Sequence, residues 1–310
     1  MIAALRRTSR RRFPRVCGAL VAIVASATLT SCASSGGTGP GGTVEYRVQK
    51  HGDLAYGERR WLFDASRELD IYQPKGAANA PVLLFVHGGA WLIGSKVFDA
   101  HVGKGFARHG YLTVTINYRV GLQAEHPEHI RDVARAFDWV KRNAAKYGGD
   151  PDRVFISGHS AGGHLVALLA TNEKYLAEVG RSTHEIAGVI PVGGLFRVGA
   201  TSFIFSGFDS DEEAFLDASP EFHVDADQPP FLLVYAEHEL PLLDAQAVGF
   251  KRELERHGSP VEIFKARGRN HVTIHTNLGR DDDPVTRTML DFMFKYSPPS
   301  RYVGARTPAS

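Results

Sequence analysis

Between residues 80 and 268 the chain alternates short, mostly apolar runs with longer segments whose apolar positions recur every three or four residues. The runs PVLLFVHG, YLTVTINY, DRVFISG, IAGVIPVGG, PFLLVYA and PVEIFKARG read as strands. Several are continuous rather than alternating, as strands covered on both faces must be, which predicts a mostly parallel sheet between two layers of helices. Helices fall between the strands, clearest in IRDVARAFDWVKRNAAKYG and DAQAVGFKRELERHG, and TVEYRVQK and RELDIYQP read as an antiparallel lead-in hairpin. The expected fold class is α/β. The least regular stretch, FRVGATSFIFSGFDSDEEAFLDASPEFHV, lies between two strands. It reads as a small lid-like insertion, with Phe203, Phe205 and Phe208 either walling a pocket or filling core.

In an open parallel sheet, chemistry gathers at the carboxyl ends of the strands. The stretch VFISGHSAGGHLVALLA, residues 154–170, passes from a β-branched strand through a knot of Gly and Ser into an Ala/Leu-rich helix. Gly158, Ser160 and Gly162 then occupy the tight turn, the setting of a nucleophile elbow, G-x-S-x-G. The plainer reading is an ordinary glycine-rich turn, and further groups have to decide. Upstream, His87, Gly88, Gly89, Ala90 and Trp91 follow a strand. Their glycines let backbone N–H groups face a ligand, and with the amide of Ala161 they could form an oxyanion hole. A base is expected after the last strand, where KARGRNHVTIHT offers His271, with His275 as a competitor already leaving the strand end. An acid is expected after FLLVYA, where Glu237, Glu239 and Asp244 all keep the order serine, acid, histidine. His126 and His129 stand among glutamates, but spacing supplies no third metal ligand, so a solvated loop is the simpler reading. His159 and His164 flank the elbow as structural or pocket-lining residues.

The first residues read as an address rather than a fold. SRRRFPR carries a twin-arginine pattern, the apolar core CGALVAIVASATLT behind it is short for a bilayer span, and Leu29-Thr30-Ser31-Cys32 resembles a lipobox whose cysteine is diacylated. A plain cleaved secretory signal is the alternative. The expected organisation is an export signal over 1–31, a Gly/Ser tether over 32–43, a catalytic domain over 44–300 and a tail over 301–310. The expected location is the bacterial cell envelope, held to the membrane through Cys32. Ala33 gives no acidic retention signal, so in a Gram-negative host the outer membrane is the expected anchor. The 310-residue chain carries a net charge of +2, but residues 1–31 hold six arginines and no acid, leaving 30 basic against 34 acidic residues. At near −4 the mature chain offers no nucleic-acid surface. Cys17 and Cys32 are the only cysteines, so a body starting at residue 44 has no disulfide, thiolate metal site or cysteine nucleophile.

Taken together, HGGAW, INYRV, HPEHIRDVARAFDWV, GGDPDRVFISGHSAGGHLVALLA, ASPEFHV and GRNHVTIH resemble the α/β-hydrolase superfamily. Within it the likeness is to the carboxylesterase group that includes hormone-sensitive-lipase-like esterases, feruloyl and acetylxylan esterases and kynurenine formamidases. It runs from residue 60 to 297. The resemblance implies an α/β-hydrolase fold, Ser160 as nucleophile, His271 as base, and Gly88, Gly89 and Ala161 as oxyanion donors. It also implies no metal or organic cofactor, and a small-molecule or polysaccharide-linked ester as substrate. Two departures stand out: Ala90 replaces the third glycine of HGGG, and the family's Asp-Pro is replaced by Glu239-Leu240-Pro241. Glu239 sits at the offset where the resembling esterases carry Asp, whereas Asp244 reads as the N-cap of the next helix and Glu237 lies closer to the strand. The expected activity is ester hydrolysis through an acyl-enzyme. The alternatives are an arylformamidase, which export argues against, and a surface-anchored binding protein on an inactive hydrolase scaffold, which an intact Ser–acid–His set argues against.

Overall fold

A computed structural model describes residues 45–58, 64–199 and 212–297. The expected export signal, tether and tail, with Cys32, and Phe203, Phe205 and Phe208 lie outside the described residues. The strands are β1 (Val48–Ala55), β2 (Glu68–Pro74), β3 (Ala80–Val86), β4 (Leu112–Ile116), β5 (Gly149–His159), β6 (Ile186–Val192), β7 (Phe231–His238) and β8 (Val261–Asn270). They form one eight-stranded sheet in the order β1-β2-β4-β3-β5-β6-β7-β8. β2 runs antiparallel to both β1 and β4, and every other pairing is parallel. The lead-in hairpin is present, but its first strand begins at Val48 and not at residue 43 as the apolar alternation predicts.

The helices are α1 (Ala100–Arg108), α2 (Glu128–Asn143), α3 (Ala161–Thr171), α4 (Glu173–Ala177), α5 (Glu212–Asp217), α6 (Leu243–Arg256), α7 (His271–Thr276) and α8 (Pro284–Tyr296). All seven residues of β3 are buried, as its unbroken apolar run requires of a strand covered on both sides. Alternate β3 residues feed two cores. Val82, Leu84 and Val86 pack with Phe137 of α2, Leu165 and Leu169 of α3 and Phe250 of α6. On the other face Leu83 and Phe85 pack with Val102 and Phe106 of α1 and with Met289 and Phe292 of α8. α3 is buried along its whole length, so the helix that follows Ser160 is fixed by packing at every residue.

The connection from β6 to β7 is the irregular stretch, and its described part is rooted on the body by polar contacts. Asp217 of α5 accepts hydrogen bonds from His126 Nε2 (3.0 Å), Lys174 Nζ (2.9 Å) and the Tyr175 hydroxyl (2.5 Å). His164 Nε2 donates to the Ala218 carbonyl oxygen at 2.7 Å. His126 therefore serves as an anchor for the insertion, and His129, on α2, is buried.

Candidate active site

The turn after β5 departs from ordinary backbone geometry at one residue. Ser160 has φ 54° and ψ −116°, a conformation that a side-chain-bearing residue occupies at a cost of roughly 1–3 kcal/mol. The flanking glycines are required by contact. A Cβ on Gly162 would lie 2.1 Å from the Val86 carbonyl oxygen, and one on Gly158 would lie 2.5 Å from the Gly162 carbonyl group. The Ser160 amide donates to the Val192 carbonyl oxygen at 2.9 Å, and its own carbonyl accepts from His164 N at 2.9 Å as α3 begins. The serine is thus held between the ends of β5 and β6, with Ala161 as the first residue of α3.

The loop after β3 lies against this turn. The α-carbon of Gly88 faces the elbow so closely that a Cβ there would meet Ser160 Cβ at 3.2 Å. Gly89 (φ 112°) turns the chain back on itself, and its carbonyl accepts from the amides of Leu92 and Ile93 at 3.0 and 3.1 Å. Ala90 and Trp91 follow at φ 53° and 59°, so the residue standing where the resembling family has glycine does adopt a glycine-like conformation. His87 steadies the loop: its ring stacks on Tyr118 at 4.3 Å and its Nδ1–H donates to the Gly88 carbonyl at 2.7 Å. Burial lowers the His87 pKa, so it acts as a neutral donor. The amides of Gly88, Gly89 and Ala161 have no acceptor among the described residues.

The base and acid come from the ends of β8 and β7. His271 is the first residue of α7, directly after β8, and Asn270 caps that helix by accepting from Val272 N and Thr273 N. The β7–β8 register shifts between Ala236 and His238, where Glu237 and Glu239 diverge. Glu237 turns to β8, where it accepts from Gly268 N at 2.9 Å and pairs with Lys265 at 3.6 Å. Glu239 turns inward, its side chain 2% exposed, and its Oε1 accepts the Nδ1–H of His271. The amides of Ala236 and Leu240 each donate to the same carboxylate at 3.0 Å. Burial alone would raise the Glu239 pKa, but the bonds from His271 and the two amides outweigh it and hold the group below the ordinary glutamate value. With Nδ1 committed to an ionised carboxylate, Nε2 is the nitrogen of His271 left to take up a proton.

Asp244 departs from its expected place. Leu242, at φ 72°, holds the N-cap position of α6, and Asp244 sits two residues on, in the first turn and exposed, accepting from the adjacent Ala245 amide at 2.8 Å. His275 has a carboxylate of its own, its Nε2–H donating to Asp99 Oδ1 at 2.8 Å. One residue at the site escaped the sequence reading. Gly193, at the end of β6 with φ 56°, lies against the histidine–glutamate pair, where a Cβ would stand 3.2 Å from His271 Nδ1 and 3.3 Å from Glu239 Oε2. The signal for it was the glycine pair closing the apolar run IAGVIPVGG.

A strained serine, a histidine bonded to a buried carboxylate and nearby amides with no acceptor among the described residues make a set suited to nucleophilic acyl transfer. The sheet order, the elbow after β5 and the histidine after β8 define an α/β-hydrolase, and the chain belongs to that superfamily. Residues 69–192 match the BD-FAE family model. LipM of Mycobacterium tuberculosis, a probable carboxylic ester hydrolase, is 32% identical over 233 residues, covering 68% of this chain and 53% of that protein. The esterase LipQ of the same organism is 32% identical over 273 residues, covering 82% of this chain and 64% of its own length. The chain thus spans about half to two thirds of the length of these curated relatives. Among solved structures, a truncated carbohydrate esterase from gut microbiota superposes with a TM-score of 0.69 at 24% identity, over 84% of this chain and 99% of that one, and shares the fold.

Proposed function

We propose that the protein is a serine carboxylesterase in which Ser160, Glu239 and His271 form the catalytic triad. The observation that carries this reading is the buried, hydrogen-bonded Glu239–His271 pair beside a serine held at an elbow. Ser160 Oγ attacks the ester carbonyl carbon while its proton passes to His271 Nε2, and the carbonyl π electrons move onto the oxygen. The amides of Gly88, Gly89 and Ala161 receive that oxyanion. When it collapses, the C–O bond to the alcohol breaks and the leaving oxygen takes the proton from His271. Water then repeats the sequence on the acyl-serine, releasing the acid and restoring the hydroxyl. Glu239 stays ionised and holds the imidazole in the tautomer that presents Nε2. The relatives' names support carboxylic esters as the substrate class. The test is hydrolysis of p-nitrophenyl esters of graded acyl length. Ser160→Ala should lower kcat/KM by at least about 10⁴-fold with the fold intact. Hydrolysis that survives the substitution contradicts the proposal.

A further inference from the structure

The residue before the nucleophile is a histidine whose ring lies against both the proposed base and the oxyanion loop. His159 ends β5 and is buried. Its Nε2 stands 2.8 Å from the carbonyl oxygen of His271; a carbonyl can only accept, so Nε2 carries the proton and donates. On the opposite side of the ring Gly88 is so close that a Cβ there would come within 3.0 Å of His159 Nδ1 and 2.9 Å of the His159 carbonyl oxygen. Ser160 follows directly in the chain. One imidazole therefore abuts the base and the oxyanion loop, one residue ahead of the nucleophile.

A second histidine backs it. His275 stacks on His159 with ring centroids 4.8 Å apart and planes at 22°, and is itself fixed by Asp99. His101 Nε2 reaches the His275 carbonyl oxygen at 3.1 Å. The six-residue helix α7, which bears His271 as its first residue, is thus held at one end by His159 and near the other by Asp99 and His101. Such a short helix cannot fix the direction of a catalytic side chain by its own hydrogen bonds. Burial, then the neighbouring His275 and His271, hold the His159 pKa well below its ordinary value. It donates as a neutral group and adds no charge against the imidazolium that His271 must become.

We propose that His159 is a positioning residue for His271, its Nε2–H fixing the backbone of the base relative to Ser160 and the oxyanion loop. This rests on the triad reading above. The test compares three substitutions on p-nitrophenyl acetate. His159→Leu removes the donor. His159→Gln places an amide N–H near the position of Nε2, and His159→Asn carries the same amide but stops short of the carbonyl. A misplacement of about 1 Å in a catalytic group costs roughly 10²-fold. His159→Leu and His159→Asn should therefore lower kcat by about 10- to 100-fold with KM within about twofold of wild type, and His159→Gln should recover most of the loss. If the leucine variant does not fold, the glutamine and asparagine variants carry the comparison. Equal kcat in those two, or a wild-type kcat in His159→Leu, overturns the positioning role while Ser160→Ala, still inactive, leaves the esterase reading standing. Hydrolysis that persists in Ser160→Ala takes both down.

Discussion

Ser160 stores strain that the two glycines around it make possible, and that necessity is local: the steric demands of one turn are written within five residues. The serine was legible in the sequence for that reason. The acid was not, because Glu237, Glu239 and Asp244 share a chemistry within eight positions, and their directions depend on the irregular pairing of β7 with β8 and on where α6 starts. Glu239→Gln should lower kcat by about 10²- to 10⁴-fold, since a neutral amide cannot stabilise the imidazolium. Asp244→Asn should leave the rate unchanged, its carboxylate serving one neighbouring amide on the surface. If the two substitutions behave the other way round, Glu239 is not the acid. The same glutamine variant carries a pH signature. The folded pKa of Glu239 is depressed, so the ionised pair adds stability above the ordinary value of 4.5 and loses it as pH falls through the folded value. The Tm gap between wild type and Glu239→Gln should be open at pH 6 and close as the pH drops well below about 4.5. A gap that stays constant with pH contradicts the depressed pKa.

Strands buried on both faces were readable as elements, because a continuous apolar run such as APVLLFV suits only a covered strand. β1 starts several residues later than TVEYRVQK suggests, because the alternation of Val44, Tyr46 and Val48 runs on ahead of the first pairing with β2 at Val48, and the Tyr46 amide bonds the Arg108 carbonyl instead. The start of α6 was misjudged for a different reason: Leu242 adopts φ 72° in a position that leucine does not advertise, while the familiar capping residue Asp244 lies nearby. The end of β6 matters most for chemistry. Gly193 has a left-handed backbone and its bare α-carbon lets the His271–Glu239 pair close over it. Gly193→Ala should cost about 1 kcal/mol of stability through the positive φ. It should also lower kcat by roughly tenfold, as the added methyl pushes against the imidazole. Calorimetry together with steady-state rates reads both. A stable variant with an unchanged rate removes Gly193 from the site.

At the scale of the whole chain, the sheet order brings the ends of β3, β5, β6, β7 and β8 to one edge, and every proposed catalytic group sits there. That order is set by contacts between residues far apart in sequence, so no local pattern reports it. It entered the sequence reading only through the motifs shared with a known superfamily. The two cores on either side of the sheet make the edge rigid where it must be, under β3 and α3. The described root of the β6–β7 insertion hangs on side chains such as Asp217, which no local pattern marks, and His164, whose structural role the sequence reading anticipates without its partner. The central claim is that Ser160 performs covalent chemistry at this edge. Its most direct test is treatment with a fluorophosphonate, followed by peptide mapping and an assay of residual ester hydrolysis. One adduct per chain is expected, on the peptide containing Ser160, with hydrolysis lost in proportion to labelling. An adduct on another residue, or full hydrolysis with Ser160 fully modified, would contradict it.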